Sequence, residues 1–271
     1  MLQNTEKFKF VGKKNIETLP QTTGVYAFKK GSDFLYIGKA VNIKNRVKNH
    51  FSQPTFKDNV FTALTEKIGF IATGSELGAL LLEASLIKKH NPQYNTIWRD
   101  GKSHNFVVIT DEVFPRVFIT HQPKTTSQKP LTAIGPFIDG GSLKQALRIL
   151  RKVFPFRTCN KLPKKACLFK DLKLCPAPCV FEDKKSYSQN IKKVFSILQG
   201  KKNSVIKNLQ KEMRKASKNQ NFEKAKIARD QIFALENVFS HSHIFTPEKA
   251  YHSLEVDRKS TRLNSSHRLT S

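Results

Sequence analysis

Two short runs of strand-forming residues, Val25-Tyr26-Ala27-Phe28 and Phe34-Leu35-Tyr36-Ile37, flank Lys29 to Asp33, where Gly31-Ser32 reads as a hairpin turn. Strands joined in this way carry Tyr26 and Tyr36 side by side. The period then lengthens. From Asn42 to Phe51 the spacing is helical, with Ile43, Arg46, Val47 and His50 on one face and Asn42 as N-cap. Such a face sets Arg46 beside packed side chains, where a guanidinium can grip a phosphate through two hydrogen bonds. A second helix opens near Ser75 and runs to about Lys89, surrounding Glu83 with Ala79, Leu80, Leu86 and Ile87 at i−4, i−3, i+3 and i+4. The carboxylate is thus expected to be half buried. A charge in that position needs a partner or a metal, and a hard cation such as Mg²⁺ takes one or two carboxylates while keeping several waters.

Further along, β-type stretches at Phe106 to Ile109 and Arg116 to Thr120 are followed by a polar loop, His121 to Pro130. Gly135-Pro136-Phe137 then leads into a basic amphipathic helix from Ser142 to Val153. From Ser204 to Val238 the pattern is two amphipathic helices around a polar turn, Lys218 to Asn221. Val205, Leu209 and Met213 mark the stripe of the first, and Phe222, Ala225, Ile232 and Leu235 that of the second. Two helices alone cannot cover such stripes, so a partner is expected on Leu209, Met213, Phe222 and Ile232. After Asp257 no acidic residue follows, and Arg258 to His267 has neither period. The chain is accordingly divided into 1–98, 99–200, 201–240 and a disordered or foreign tail, 241–271, with mixed α/β (α+β) content.

Charge narrows the partner. Lys and Arg number 48 against 21 Asp and Glu, a net charge of +27 with a pI near 10.0, which is the balance of a polyanion binder. Charge alone does not separate DNA from RNA. No apolar run is long enough to span a bilayer and no signal-peptide core opens the chain, so a cytoplasmic setting without a membrane is expected. The four cysteines, Cys159, Cys167, Cys175 and Cys179, fall in a C-x7-C-x7-C-x3-C cluster. Without a secretion signal, disulfides are disfavoured and a metal centre is the better reading, with Zn²⁺ and an iron-sulfur cluster both open.

Gly24-Val25-Tyr26, Tyr36-Ile37-Gly38, Arg46, Glu83 and Asn95, in that order, make the segment from Leu19 to Trp98 resemble a GIY-YIG endonuclease domain. More narrowly, Tyr36-Ile37-Gly38-Lys39-Ala40, Asn45-Arg46-Val47, Leu80-Leu81-Leu82-Glu83 and Asn91-Pro92-Gln93-Tyr94-Asn95 are similar to the N-terminal domain of the UvrC family of excinucleases. The resemblance implies a small mixed sheet flanked by helices and a one-metal hydrolysis of a DNA phosphodiester. Glu83 would hold Mg²⁺ or Mn²⁺, and Arg46 would hold a phosphoryl oxygen as charge builds. Tyr36 would take the proton of the attacking water, with Lys39 favouring its phenolate. Tyr26 would hydrogen-bond around the nucleophile, and Asn95 would orient its neighbours. The family pattern commonly has a third Tyr where this sequence has His50. One turn after Arg46, His50 is expected as a phosphate ligand or an alternative base with a pKa suited to pH 7.

The middle of the chain is also similar to UvrC, in which this cysteine set is associated with a [4Fe-4S] cluster, and that favours iron-sulfur over zinc in a structural role. The helical hairpin resembles a UVR motif, the unit that contacts UvrB. Implied together is a nick in damaged double-stranded DNA on the 3′ side of a lesion, after recruitment by UvrB and indirectly by UvrA. The RNase H-like domain with which the family continues is not evident after residue 240. The chain is therefore expected to be a truncated member, a fragment with a foreign tail or a short homologue. The hairpin favours the first two, since a stand-alone Cho-type relative is expected to lack it. Two other classes remain: a GIY-YIG nuclease outside excision repair, which needs neither the cysteines nor the hairpin, and a noncatalytic DNA-binding scaffold, which needs neither Glu83 nor Arg46.

Overall fold

The computed structural model describes residues 8–96, 104–121 and 130–240. The expected hairpin is formed by β2 (Gly24–Lys30) and β3 (Asp33–Ala40), joined at Gly31, whose φ of 52° is the left-handed conformation that glycine adopts without a Cβ clash. With β1 (Lys9–Gly12) and β4 (Lys67–Ala72) they make an antiparallel sheet of order β1-β4-β2-β3. The register sets Phe28 opposite Tyr36 and Tyr26 opposite Gly38. The two tyrosines are therefore diagonal neighbours on one face, with ring centroids 6.2 Å apart, rather than a directly facing pair.

Alternation along β2 divides its side chains between two layers. Tyr26 and Phe28 pack with Phe61, Ile43 and Val47, which come from α2 (Phe56–Leu64) and α1 (Ile43–Ser52). Val25 and Ala27 pack on the other face with Ala79 and Ile87 of α3 (Glu76–His90). Caps fix where these helices begin. The Asn42 side chain accepts from the Asn45 N–H, Thr55 and Asp58 form a reciprocal capping box, and Ser75 accepts from the Gly78 N–H. Helix α3 ends at Asn91, in left-handed conformation with φ 45°, and a single helical turn, α4 (Gln93–Thr96), follows.

Helix α3 is apolar on more than one side because it is covered on more than one side. Opposite the first sheet, Leu77, Leu80, Leu81 and Ala84 join a second core with Val107, Phe137, Leu143 and Leu150. These come from a three-stranded antiparallel sheet, order β6-β5-β7, of β5 (Asn105–Thr110), β6 (Val117–Thr120) and β7 (Pro130–Phe137), and from α5 (Gly140–Val153). After the one-turn α6 (Leu168–Asp171) come α7 (Lys184–Leu198), α8 (Lys202–Lys218) and α9 (Phe222–Ser240). Sequence reasoning did not read β1, β4, α2, β7 or α7. Strand β7 hides behind two prolines, which an edge strand tolerates because its outer N–H groups need no partner.

The hairpin of α8 and α9 requires a correction. Leu209 and Ile232 were expected to face a partner, yet they are buried with Val205 and Leu235 in the core that contains α3, and Met213 packs partly against it. The stripe is covered by the chain's own core because α9 lies against α3 and α5. Of the four expected residues Phe222 alone stands outside, exposed by 69%, and beside it Ile227 and Phe233 are exposed by 53% and 65%. The expectation for 241–271 and most of the loop read from His121 to Pro130 lie outside the described residues.

Candidate active site

The first sheet, α1 and α3 converge on a cleft of about 470 Å³ lined by Tyr26, Tyr36, Lys39, Asn42, Asn45, Arg46, Asn49 and Glu83, with Ile138 and Asp139 from the segment before α5. Gly38 explains part of the tyrosine motif: a Cβ there would stand 2.6 Å from the Tyr26 hydroxyl and 3.0 Å from the Tyr36 ring. Gly24 is equally constrained, since its Cβ would lie 2.2 Å from the Ile71 carbonyl oxygen. Both glycines thus make room for the strands and rings that wall the cleft.

Glu83 is buried more deeply than expected, with 4% of its surface exposed. Its Oε1 accepts from the Lys39 backbone N–H at 2.9 Å. Burial pushes its pKa up to about 7, against the pull of that N–H and of the Lys39 charge, while Asp139 pushes the same way as burial. A carboxylate that lines a cleft, keeps one oxygen on a backbone donor and forms no ion pair among the described residues fits a divalent ion. Mg²⁺ binds through few carboxylates and fills its remaining positions with water. Arg46 departs from expectation in the other direction. It lies on the exposed side of α1, with its charge close enough to Tyr26 and Tyr36 to act on both. Its guanidinium hydrogen-bonds the Tyr26 hydroxyl at the rim of the cleft, where an entering phosphate would meet it.

His50 is placed neither as a phosphate ligand nor at the cleft. It is 5% exposed, and both ring nitrogens are engaged: Nε2 with the Tyr26 hydroxyl at 2.7 Å and Nδ1 with Asp58 Oδ1 at 2.7 Å. Burial lowers its pKa, partly offset by Asp58, so the ring is neutral at pH 7. The Asp58 carboxylate can only accept, which fixes the proton on Nδ1 and leaves Nε2 to accept from the Tyr26 O–H. Asp58 was not found from the sequence. The pattern Thr55-x-x-Asp58 is a helix-start signal that would have exposed α2 and with it this residue.

Burial, followed by the nearby Glu83 charge, pushes the Tyr36 pKa up to about 12, and burial raises Tyr26 further. Arg46 is the cation that pulls Tyr36 back. The expected helper, Lys39, points elsewhere: its Nζ contacts Asp139 Oδ2 at 2.9 Å and Ser142 Oγ at 3.0 Å. Asn95 does not line the cleft. Its amide donates to the Ile37 carbonyl and accepts from the Ile37 N–H, both at 2.8 Å, so it replaces a neighbouring strand at the free edge of β3.

The four cysteines lie on the segment between α5 and α7, with Cys159 and Cys167 near enough to Cys175 for their charges to act on it. All four thiols are free, with Cys175 buried, Cys159 and Cys179 intermediate and Cys167 exposed. Among the described residues no three His, Cys, Asp or Glu side chains converge as metal ligands. The intervening loop is held by its own bonds: Cys175 N–H to the Phe169 carbonyl at 3.0 Å, Arg151 Nε to the Leu174 carbonyl at 2.8 Å and Cys179 Sγ to the Lys165 carbonyl at 3.8 Å. Burial pushes the Cys175 thiol pKa up, and the neighbouring Cys159 and Cys167 push the same way. The iron-sulfur or zinc centre expected from the spacing is therefore not assembled in this structure.

An antiparallel sheet whose central hairpin offers two tyrosines to a cleft walled by an arginine helix and a glutamate helix is the arrangement of a GIY-YIG domain. Residues 22–96 match the model of the UvrC-like GIY-YIG domain, 105–197 that of the UvrC/Cho excinuclease middle domain, and 203–238 that of the UvrB/uvrC motif. The chain belongs to the UvrC family. It is 39% identical over 229 residues to UvrABC system protein C of Desulfitobacterium hafniense, covering 83% of this chain and 37% of that protein. To the protein of the same name from Methanospirillum hungatei it is 35% identical over 240 residues, covering 87% of this chain and 46% of that one. The chain thus spans less than half the length of these relatives. The crystal structure of the GIY-YIG N-terminal endonuclease domain of UvrC from Thermotoga maritima, bound to its catalytic divalent cation, magnesium, is 36% identical, with a TM-score of 0.30, over 31% of this chain and 94% of that one. Among the described residues no helix is long and apolar enough to cross a membrane.

Proposed function

We propose that the chain is a metal-dependent DNA endonuclease of nucleotide excision repair, nicking the damaged strand on the 3′ side of a lesion after UvrB recruits it. UvrA acts indirectly, upstream of that contact, and the setting is the cytoplasm. The single observation that carries the reading is the buried Glu83 in a cleft with two tyrosines and a rim arginine. A scaffold that only binds DNA has no use for a desolvated carboxylate. The family membership of the middle and hairpin segments favours repair over a stand-alone nuclease.

Glu83 would hold Mg²⁺ or Mn²⁺, which would supply charge stabilisation for the phosphoryl group and leaving oxygen. Arg46 steadies a non-bridging phosphate oxygen. Tyr36, pushed up to about 12, is a poor lone base, and Tyr26, raised further by burial, acts instead as a conduit to His50. Its hydroxyl hands a proton to neutral His50 Nε2 while its oxygen takes one from the water. Asp58 then stabilises the imidazolium that forms. Tyr36 orients the water, and Asn95 holds β3 in place beneath it. The four thiols form no part of this reading.

The test is a Mg²⁺-dependent nicking assay on lesion-bearing duplex with UvrA and UvrB. Glu83→Ala and Arg46→Ala should bind DNA normally and lose the nick by about a hundredfold or more, whereas His50→Phe should slow it less. Normal nicking by the first two variants would reject the active-site assignment.

A further inference from the structure

The middle segment of the chain reaches into the nuclease cleft through one residue. Asp139 is the N-cap of α5, its Oδ1 accepting from the Ser142 N–H at 2.9 Å, and its Oδ2 receives both the Ser142 hydroxyl at 2.5 Å and the Lys39 ammonium at 2.9 Å. Ser142 Oγ accepts a second bond from the same ammonium at 3.0 Å. Lys39 belongs to β3 and Asp139 to the loop after β7, so this is a contact between the two sheets' segments, made at the wall of the cleft. Lys39 is therefore used twice: its backbone N–H on Glu83 and its side chain on Asp139.

That division of labour has a consequence for the cation. The Lys39 ammonium is near enough to Glu83 for its charge to act there. Without a second carboxylate to hold it, a flexible lysine would turn to the buried Glu83, the strongest unpaired anion within reach, and would occupy the oxygen a divalent ion needs. Asp139 is well placed to prevent this. The two Ser142 bonds and the Lys39 contact outweigh its burial and hold its pKa near 2, so it stays charged.

Resting on the Glu83 reading above, we propose that Asp139 is a positioning residue of the nuclease site, anchoring the Lys39 ammonium away from Glu83 so that this carboxylate stays free for the divalent cation. The middle domain thereby raises the cation affinity of the GIY-YIG domain's site without ligating the metal itself.

The experiment is Mn²⁺ binding to the full chain, read by electron paramagnetic resonance of the free ion, alongside the Mg²⁺ dependence of nicking. Asp139→Asn keeps the Oδ1 helix cap and loses the charge together with the Oδ2 acceptor of Ser142 and Lys39, so its melting temperature should fall only slightly. Its Mn²⁺ affinity should fall about tenfold, and half-saturating Mg²⁺ for nicking should rise in parallel while the rate at saturating Mg²⁺ is largely restored. The double variant Asp139→Asn/Lys39→Met should regain the Mn²⁺ affinity of Lys39→Met alone, because the competing ammonium is gone. An unchanged Mn²⁺ affinity in Asp139→Asn overturns the proposal, and so does a double variant that remains weak, which would make Asp139 a direct ligand. Glu83→Ala separates the two readings. If it binds Mn²⁺ as wild type does, the Glu83 assignment fails and this proposal with it; if it loses the ion, the Asp139 result stands or falls alone.

Discussion

A buried carboxylate without an ion pair among the described residues stores a cost that its surroundings must meet, and Glu83 lets that cost be measured. Its pKa in the fold is about 7 against an ordinary 4.5. The folded state therefore holds the proton more tightly than the unfolded chain. The stabilisation is complete below about 4.5 and is lost as pH rises through 7. In a chelator at pH 8, Glu83→Gln should be more stable than wild type by an amount on the order of 1–3 kcal/mol, and at pH 4 the two should coincide. Denaturant melts at both pH values check this; a wild type more stable than the variant at pH 8 would contradict the desolvated site. At this scale the sequence pointed to four residues that line one cleft, Tyr26, Tyr36, Arg46 and Glu83, because each stands at a fixed spacing within a local element. It was a poor guide to what those groups touch. His50 looked like a second phosphate ligand since it follows Arg46 by one helical turn. Its contact with Asp58 depends on where α2 folds back, which no spacing within α1 records.

At the scale of elements, amphipathic stripes told where α8 and α9 begin and end but not what covers them. Leu209 is fully buried, whereas Phe222 stands 69% exposed at the start of α9. The two therefore give opposite tests. Leu209→Ala should cost roughly 2–5 kcal/mol of stability through the cavity it leaves in the core. Phe222→Asp should leave the melting temperature nearly unchanged. If UvrB closes over Phe222, that variant should instead weaken the association more than tenfold, from the loss of about 2 kcal/mol of apolar burial and the added cost of burying a charge. Titration of UvrB against both proteins at a temperature well below either melt distinguishes the two surfaces, and an unchanged affinity for Phe222→Asp would remove this end of the hairpin from the interface. The sequence could not make the distinction because a period of 3.6 residues marks an apolar face without saying whether the chain or another protein packs on it.

For the whole molecule, α3 decides whether the segments act as one body. Its sequence is apolar around most of its circumference, a pattern that sequence reasoning used to surround Glu83 but that also demands a second covering layer. That layer is the β6-β5-β7 sheet with α5 and the α8–α9 hairpin. Ala79 and Ile87 face the first sheet while Leu77, Leu80 and Leu81 face the middle segment, so the helix that carries Glu83 is shared between two cores. The Lys39–Asp139 contact crosses the same boundary. Two cores joined through one helix unfold together unless that helix can keep one face bare, which for this many leucines it cannot. Calorimetry of the full chain should therefore show a single transition. Leu80→Ala, at a position 1% exposed on the middle-segment side, should lower it by an amount corresponding to about 2–5 kcal/mol. Hydrogen exchange gives the sharper result. In that variant, protection should fall in β2 and β3 as well as in β5 and α5, because losing the middle layer loosens the helix against which the tyrosine strands pack. Loss of protection confined to β5 and α5, with β2 and β3 unchanged, would mean that the nuclease sheet holds α3 by itself and that the middle domain is a passenger on the site rather than one of its walls.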